Sequence, residues 1–250
     1  MVAAINSKAA VKKIAEKPVS LLSPEDITFT RYLYIKSRVF YSLGYCLLKK
    51  LAHESLFWAY ELFYSGFKEE LIDYLNRFRM EHFSYKSDGF SRFWNKIQPD
   101  YLSNDCVLAT MIINMIRSNK TPLGKTLYII YSEENIEEFK TIDTNDDIRT
   151  YRILQTKCIY NSCKPTMDEL GSPLQSYDTD ELINIWRNKW LYYSYNTPIW
   201  KDRIDRYIII VNHSNCSLTF ANDDALESFS EKYGYEPDEQ PIGVLQNIIG

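Results

Sequence analysis

Apolar positions along the chain fall into two regimes. Between Leu33 and Ile116 they recur every three or four residues, the period of an α-helix. Leu33, Phe40, Leu43, Leu47 and Leu51 follow Ser23-Pro24-Glu25-Asp26, in which Ser23 can cap a helix and Pro24 suits its first turn. A long helix is predicted to start there, with Gly44 as its weak point. Leu56 to Tyr64 is apolar on nearly every face, which predicts a helix buried on several sides and closed by Gly66. Phe67, Leu71, Tyr74, Leu75 and Phe78 make the next stripe, so two helices joined by a very short turn form an αα-hairpin. A loop around Asp88-Gly89 and Pro99 follows. Asn104 then caps a helix whose core face is Val107, Leu108, Met111, Ile112, Met115 and Ile116.

The pattern changes after Pro122-Leu123-Gly124. Residues 126–131 and 151–160 are rich in β-formers and read as strands. Between them lie a short acidic helix over Glu133 to Phe139, capped by Ser132, and a polar loop. Residues 161–178 form a second loop, and Asp180 to Tyr193 a helix. Tyr207 to Val211 and Ser217 to Phe220 flank a short polar turn and predict a hairpin. Asp223 to Tyr233 is a last amphipathic helix. The expected fold is α+β and predominantly α. Residues 1–22 would be a flexible basic arm, carrying Lys8, Lys12, Lys13 and Lys17. Residues 23–122 would form a helical domain with αα-hairpins, and 123–250 a smaller mixed α/β part with an irregular acidic tail.

Composition supports a globular chain: 45% of the 250 residues are apolar and 15% aromatic, with 25% charged. The net charge of −4 conceals a split. Residues 1–125 carry 18 Lys and Arg against 12 Asp and Glu, whereas residues 126–250 carry 11 against 21. Such a division suits two faces with different partners, or two halves that attract each other. Five scattered cysteines are not a disulfide framework, so reduced thiols in a cytosolic compartment are expected. The first 18 residues lack the apolar core of a signal peptide. No run approaches the roughly 20 apolar residues that span a bilayer, so no membrane partner is expected.

Several chemistries fail on spacing. Residues 119–126 end in Gly124-Lys125-Thr126 but have Asn119 where a phosphate-binding loop needs Gly, and the expected helix–strand order is reversed. Asp143, Asn145 and Asp147 alternate like a calcium loop, yet Ile148 and Leu154 occupy its Gly and Glu positions. Cys158, Cys163, His213 and Cys216 are a possible zinc set, but the first pair is loosely spaced and the gap to the second is long. Only His53, His82 and His213 are available as imidazole bases, and no nucleophile elbow or HExxH motif accompanies them. No cofactor and no catalytic residue is assigned.

Two stretches remain. Arg77, Arg79, Lys86, Arg92 and Lys96 interleave with Phe78, Phe83, Tyr85, Phe90, Phe93 and Trp94. Cations hold phosphates and aromatics stack on unpaired bases, so these five are the candidate nucleic-acid contacts. The competing reading is a helical edge with snorkelling cations over core aromatics. Trp186, Trp190, Tyr193 and Trp200 belong to a second aromatic cluster, which serves either as core or as an anchor for a protein partner.

Three passages carry a family resemblance: Glu54 to Phe67 (ESLFWAYELFYSGF), Trp190 to Trp200 (WLYYSYNTPIW) and Glu231 to Gln240 (EKYGYEPDEQ). The chain resembles a poorly characterised protein family of the giant nucleocytoplasmic large DNA viruses of mimivirus type. That resemblance implies a setting, the host cytoplasm with its viral factory or the virion, and no site residues. The expected role is a non-catalytic protein-interaction subunit of a viral gene-expression or assembly complex. The alternatives are a nucleic-acid-binding replication or transcription factor using the 77–96 stretch, and a helical scaffold of translation-initiation type.

Overall fold

The stretch leading into the first helix is a buried turn. A computed structural model describes residues 27–83, 88–118, 130–136, 139 and 178–233. In it, Phe29 and Ile35 bridge antiparallel across a tight turn, and α1 begins only at Lys36 (Lys36–Lys49). The helical spacing that includes Leu33 is therefore misleading. Leu33 has φ 59°, a left-handed conformation outside any helix, and Leu51 lies past the end of α1. Ser23 to Asp26 fall outside the described residues.

The helices that follow obey their apolar patterns. Helix α2 (Ala52–Ser65) buries Phe57, Trp58, Ala59, Tyr60 and Leu62 almost completely. Each large apolar side chain so removed from water contributes about 1.5–3 kcal/mol. Gly66 ends α2 at φ 96°, its amide donating back to the Phe63 carbonyl, and α3 (Lys68–Phe83) starts two residues later. An unpredicted helix, α4 (Asp88–Ile97), replaces part of the expected loop. Its Phe90, Phe93, Trp94 and Ile97 are at helical spacing, and Trp94 and Phe90 are buried. A 3-10 turn (Gln98–Asp100) leads to α5 (Asp105–Ser118), where Asn104 accepts the Cys106 amide at 3.0 Å as expected of a cap.

Past the undescribed residues 119–129, Ile130 and Tyr131 are not in a strand. The expected acidic helix is a 3-10 turn at Glu133–Asn135. The strand expected over 151–160, the loops on either side of it and the boundary near 122 lie outside the described residues. The helix over 180–193 is two helices, α6 (Thr179–Asn188) and α7 (Trp190–Ser194), broken at Lys189. A short α8 (Pro198–Ile204) was not expected, although Pro198 at its first position is a start signal. The hairpin forms as predicted: β1 (Ile208–Asn212) pairs antiparallel with β2 (Ser217–Phe220), with an irregularity between Ile208 and Ile210. Helix α9 (Asp223–Tyr233) has the predicted bounds. Among the described residues the protein is thus mostly helical, with a small two-stranded antiparallel sheet. One apolar cluster contains residues from Ile27 to Tyr233. Among the described residues, no helix is long and apolar enough to cross a membrane.

The turn over 27–35 fills the centre of this cluster. Residues 29–35 are all at most 3% exposed, and among them Arg31 forms a salt bridge with Glu61 of α2, Nε to Oε2, at 2.8 Å. Its Nη2 donates to the Phe139 carbonyl at 3.0 Å. The Tyr32 amide donates to the other Glu61 oxygen at 3.0 Å, and the Arg31 amide to Ser65 Oγ at 2.8 Å. From the other side, Thr197 Oγ1 donates to the Phe29 carbonyl and Trp200 Nε1 to the Thr30 carbonyl at 3.2 Å. The turn thereby ties α2 to the start of α8. Removing one partner of such a pair leaves a buried charge uncompensated, at about 3–5 kcal/mol.

Gly66, at the end of α2, packs against Pro198 at the start of α8. A Cβ there would lie 2.5 Å from Pro198 Cβ, and the residue's φ of 96° suits only glycine well. Gly66→Ala is expected to destabilise the protein by about 2–4 kcal/mol, combining backbone strain with overpacking. Urea denaturation checks this, and an effect within about 0.5 kcal/mol of zero, the range of ordinary surface substitutions, would contradict it.

Candidate anion-binding cleft

Where the α2–α3 turn meets α8 and α9, an open cleft of about 530 Å3 is lined, among the described residues, by Lys68, Arg203, Arg206 and Lys232 with a single carboxylate, Asp202. Each cation is there for a local reason. Gly66 reverses the chain, so Lys68 starts α3 at the cleft edge. Arg203 lies one helical turn after Trp200, on the inward face of α8. Arg206 is just beyond that helix, and Lys232 sits in the last turn of α9.

Arg203 is the most constrained of the four. It is 7% exposed, and its guanidinium carbon lies 5.0 Å from the Trp200 ring centre and 5.2 Å from that of Tyr233. Two aromatic rings thus hold its planar guanidinium in place. Lys68 Nζ lies 4.3 Å from the Phe63 ring centre, and Lys232 Nζ 5.4 Å from that of Tyr233. Arg206 and Lys232 are exposed and Lys68 is half-buried. Tyr64 closes one wall, with its hydroxyl donating to Asp105 Oδ2 at 2.7 Å. Burial first, and that carboxylate second, raise its pKa, so it stays protonated. The arrangement suits a ligand carrying concentrated negative charge.

The residues singled out from sequence are placed differently. Arg77, Arg92 and Lys96 are exposed on α3 and α4. Arg79 packs 5.4 Å from the Trp94 ring centre and donates to Ser91 Oγ at 3.2 Å. Burial lowers its pKa. Phe78, Phe90 and Trp94 are core residues rather than stacking platforms. Lys86 and Tyr85 lie outside the described residues, and nothing is described of the Phe83 side chain. Trp186, Trp190, Tyr193 and Trp200 are all buried, at most 6% exposed, with Trp190 and Trp200 edge to face at 5.1 Å. They hold the C-terminal helices together, and only Trp200 reaches the cleft, through Arg203.

Of the possible zinc set, Cys158 and Cys163 lie outside the described residues. His213 Nδ1 is 3.0 Å from the Tyr192 hydroxyl, and the Tyr193 hydroxyl donates to Cys216 Sγ at 3.9 Å. Among the described residues no three His, Cys, Asp or Glu side chains gather to hold a metal. The near phosphate loop and the calcium-like run also fall outside them.

Sequence reasoning missed the cleft cations because they come from three distant segments. The one local signal was the pair Arg203 and Arg206 directly after the Trp190–Trp200 aromatic run. The buried floor and the exposed rim are expected to differ on mutation. Arg203→Ala loses two ring contacts and should cost about 1–2 kcal/mol. Arg206→Ala and Lys232→Ala should stay within about 0.5 kcal/mol of wild type. Equal losses in urea denaturation for all three would contradict this division.

The chain matches no protein-family model, no curated protein and no solved structure.

Proposed function

We propose that the chain is a non-catalytic protein-interaction subunit of a viral gene-expression or assembly complex, acting in the host cytoplasm, the viral factory or the virion. In this reading it holds an anionic segment of its protein partner in the cleft formed by the α2–α3 turn, α8 and α9. The observation that carries it is the convergence of Lys68, Arg203, Arg206 and Lys232 on one cleft, with Asp202 the one carboxylate among its described lining residues. Three of the four cations come from the half of the chain whose balance is acidic, so their convergence is a local feature with a use in recognition. The resemblance to the giant-virus family supplies the setting. A second reading, binding of nucleic acid, rests on the exposure of Arg77, Arg92 and Lys96 on α3 and α4.

One experiment separates them. The tagged full chain and an Arg206→Glu/Lys232→Glu variant are purified from infected cells, each with and without nuclease, and the retained proteins are identified by mass spectrometry. The proposal expects a defined set that survives nuclease and is lost from the variant. A set retained by the variant contradicts it, and a set lost on nuclease treatment favours nucleic acid as the direct ligand.

A further inference from the structure

A separate cavity of about 320 Å3 lies between α1 and α3 and shares no described lining residue with the cation-lined cleft. Phe40, Tyr41 and Gly44 line it from α1, and Tyr74, Phe78 and Glu81 from α3, with His82 beside them. Tyr74 joins its aromatic wall. Its ring centre lies 5.1 Å from that of Phe40 and 5.7 Å from that of Phe78, so three rings are continuous. Gly44 gives the cavity its depth. A Cβ there would collide with the Tyr74 hydroxyl, so the glycine that weakens α1 as a helix is what lets the ring seat. Burial first, and the Glu81 carboxylate second, raise the Tyr74 pKa. The ring therefore stays neutral, with the negative field of Glu81 at the aromatic wall.

Elsewhere in the protein, lysines lie over aromatic rings. Lys36 covers Phe67 at 4.5 Å from the ring centre, Lys68 covers Phe63 at 4.3 Å and Lys201 covers Tyr195 at 4.2 Å. Among the described residues no cation lies over Phe40, Tyr41 or Tyr74, and the Glu81 carboxylate meets only the His82 imidazole, at 3.8 Å. Arg77 is exposed and does not line the cavity. A wall of rings with one carboxylate suits a cation that needs few hydrogen bonds. An unmodified lysine ammonium is strongly hydrated and has three donors to satisfy. Trimethylation removes those donors, keeps the charge and surrounds it with methyl groups that can lie against rings. The polar Glu81 and His82 flank the opening, and a lysine's four-carbon stem can carry its head past them. That favours a side chain over a lipid headgroup, which is borne on a flat bilayer.

We infer that the α1–α3 cavity takes the trimethylammonium head of a methylated lysine on a protein partner, with Phe40, Tyr41 and Tyr74 as the aromatic wall and Glu81 as the opposing charge. This contact goes beyond the anion cleft and does not depend on it.

The test titrates the isotope-labelled full chain with glycine–serine peptides and follows the Gly44 amide by NMR. The peptides carry one central trimethyllysine, one unmodified lysine, or the uncharged analogue in which carbon replaces the trimethylated nitrogen. The trimethyllysine peptide should shift the Gly44 amide and bind at least about fivefold more tightly than either control. Tyr41→Leu keeps an apolar side chain but removes a ring, and Glu81→Gln removes the charge at an exposed position. Each should weaken trimethyllysine binding about threefold. Equal binding of the carbon analogue overturns the cation assignment, and equal binding of the lysine peptide overturns the methylated class. No shift at Gly44, or unchanged affinity in both variants, overturns the placement of the site. Flotation of the chain with phosphatidylcholine vesicles, without binding of the trimethyllysine peptide, overturns the protein source in favour of a lipid headgroup. Failure of every probe to bind overturns the inference and leaves the anion cleft untouched.

Discussion

The guanidinium of Arg31 and the carboxylate of Glu61 meet where water scarcely reaches, and much of the surrounding chain is arranged to satisfy them. Each also bonds to backbone: Arg31 donates to the Phe139 carbonyl, and Glu61 accepts the Tyr32 amide. The pair tolerates burial because these hydrogen bonds replace the solvent that both ions have lost. Ser65 completes the arrangement, accepting the Arg31 amide while its hydroxyl donates to the Glu61 carbonyl one helical turn back. A buried ion pair adds less stability than packed hydrocarbon would. Its contribution here is positional, because only one register of the 27–35 turn against α2 satisfies every group.

That register reaches the cleft. The far side of the same turn offers its Phe29 and Thr30 carbonyls to Thr197 and Trp200, which fixes the start of α8. Trp200 packs on Trp190 and on Arg203, so the aromatic cluster of the C-terminal helices ends in the buried guanidinium that floors the cleft. The aromatic core and the cation-lined cleft are therefore successive layers of one structure. The aromatics are the buried layer, and the cleft cations lie at their edge. The rings of the Trp–Tyr cluster are buried, and Trp200 packs against the Arg203 guanidinium.

Much of the fold was legible where local periodicity and turn chemistry agree. Helices α2, α3, α5 and α9 and the β1–β2 hairpin carry unambiguous apolar spacing, a glycine or asparagine cap, or a polar turn between β-branched runs. Helix α4 was hidden by the Asp88-Gly89 turn signal, although its apolar spacing was helical. The start of α1 was misread because Phe29, Leu33 and Ile35 are apolar in a turn that is buried on all sides, so their spacing reports enclosure and not helix. Arg31 and Glu61 left a faint trace, each a lone charge in an apolar run, Glu61 in the middle of a helix with no polar face. The cleft was illegible because Lys68, Arg203 and Lys232 are brought together only by tertiary packing, and the more conspicuous cations at 77–96 drew attention to another surface.

The central claim is that the 27–35 turn is part of the global core and not a loop resting on it. Native-state hydrogen exchange at the amides of Arg31 and Tyr32 tests this most directly, since their acceptors are Ser65 Oγ and the Glu61 carboxylate. The account predicts that both amides exchange only through global unfolding, with the same free energy and denaturant dependence as the amide of Leu62 within α2. Exchange of Arg31 and Tyr32 by a local opening while Leu62 remains protected would contradict it.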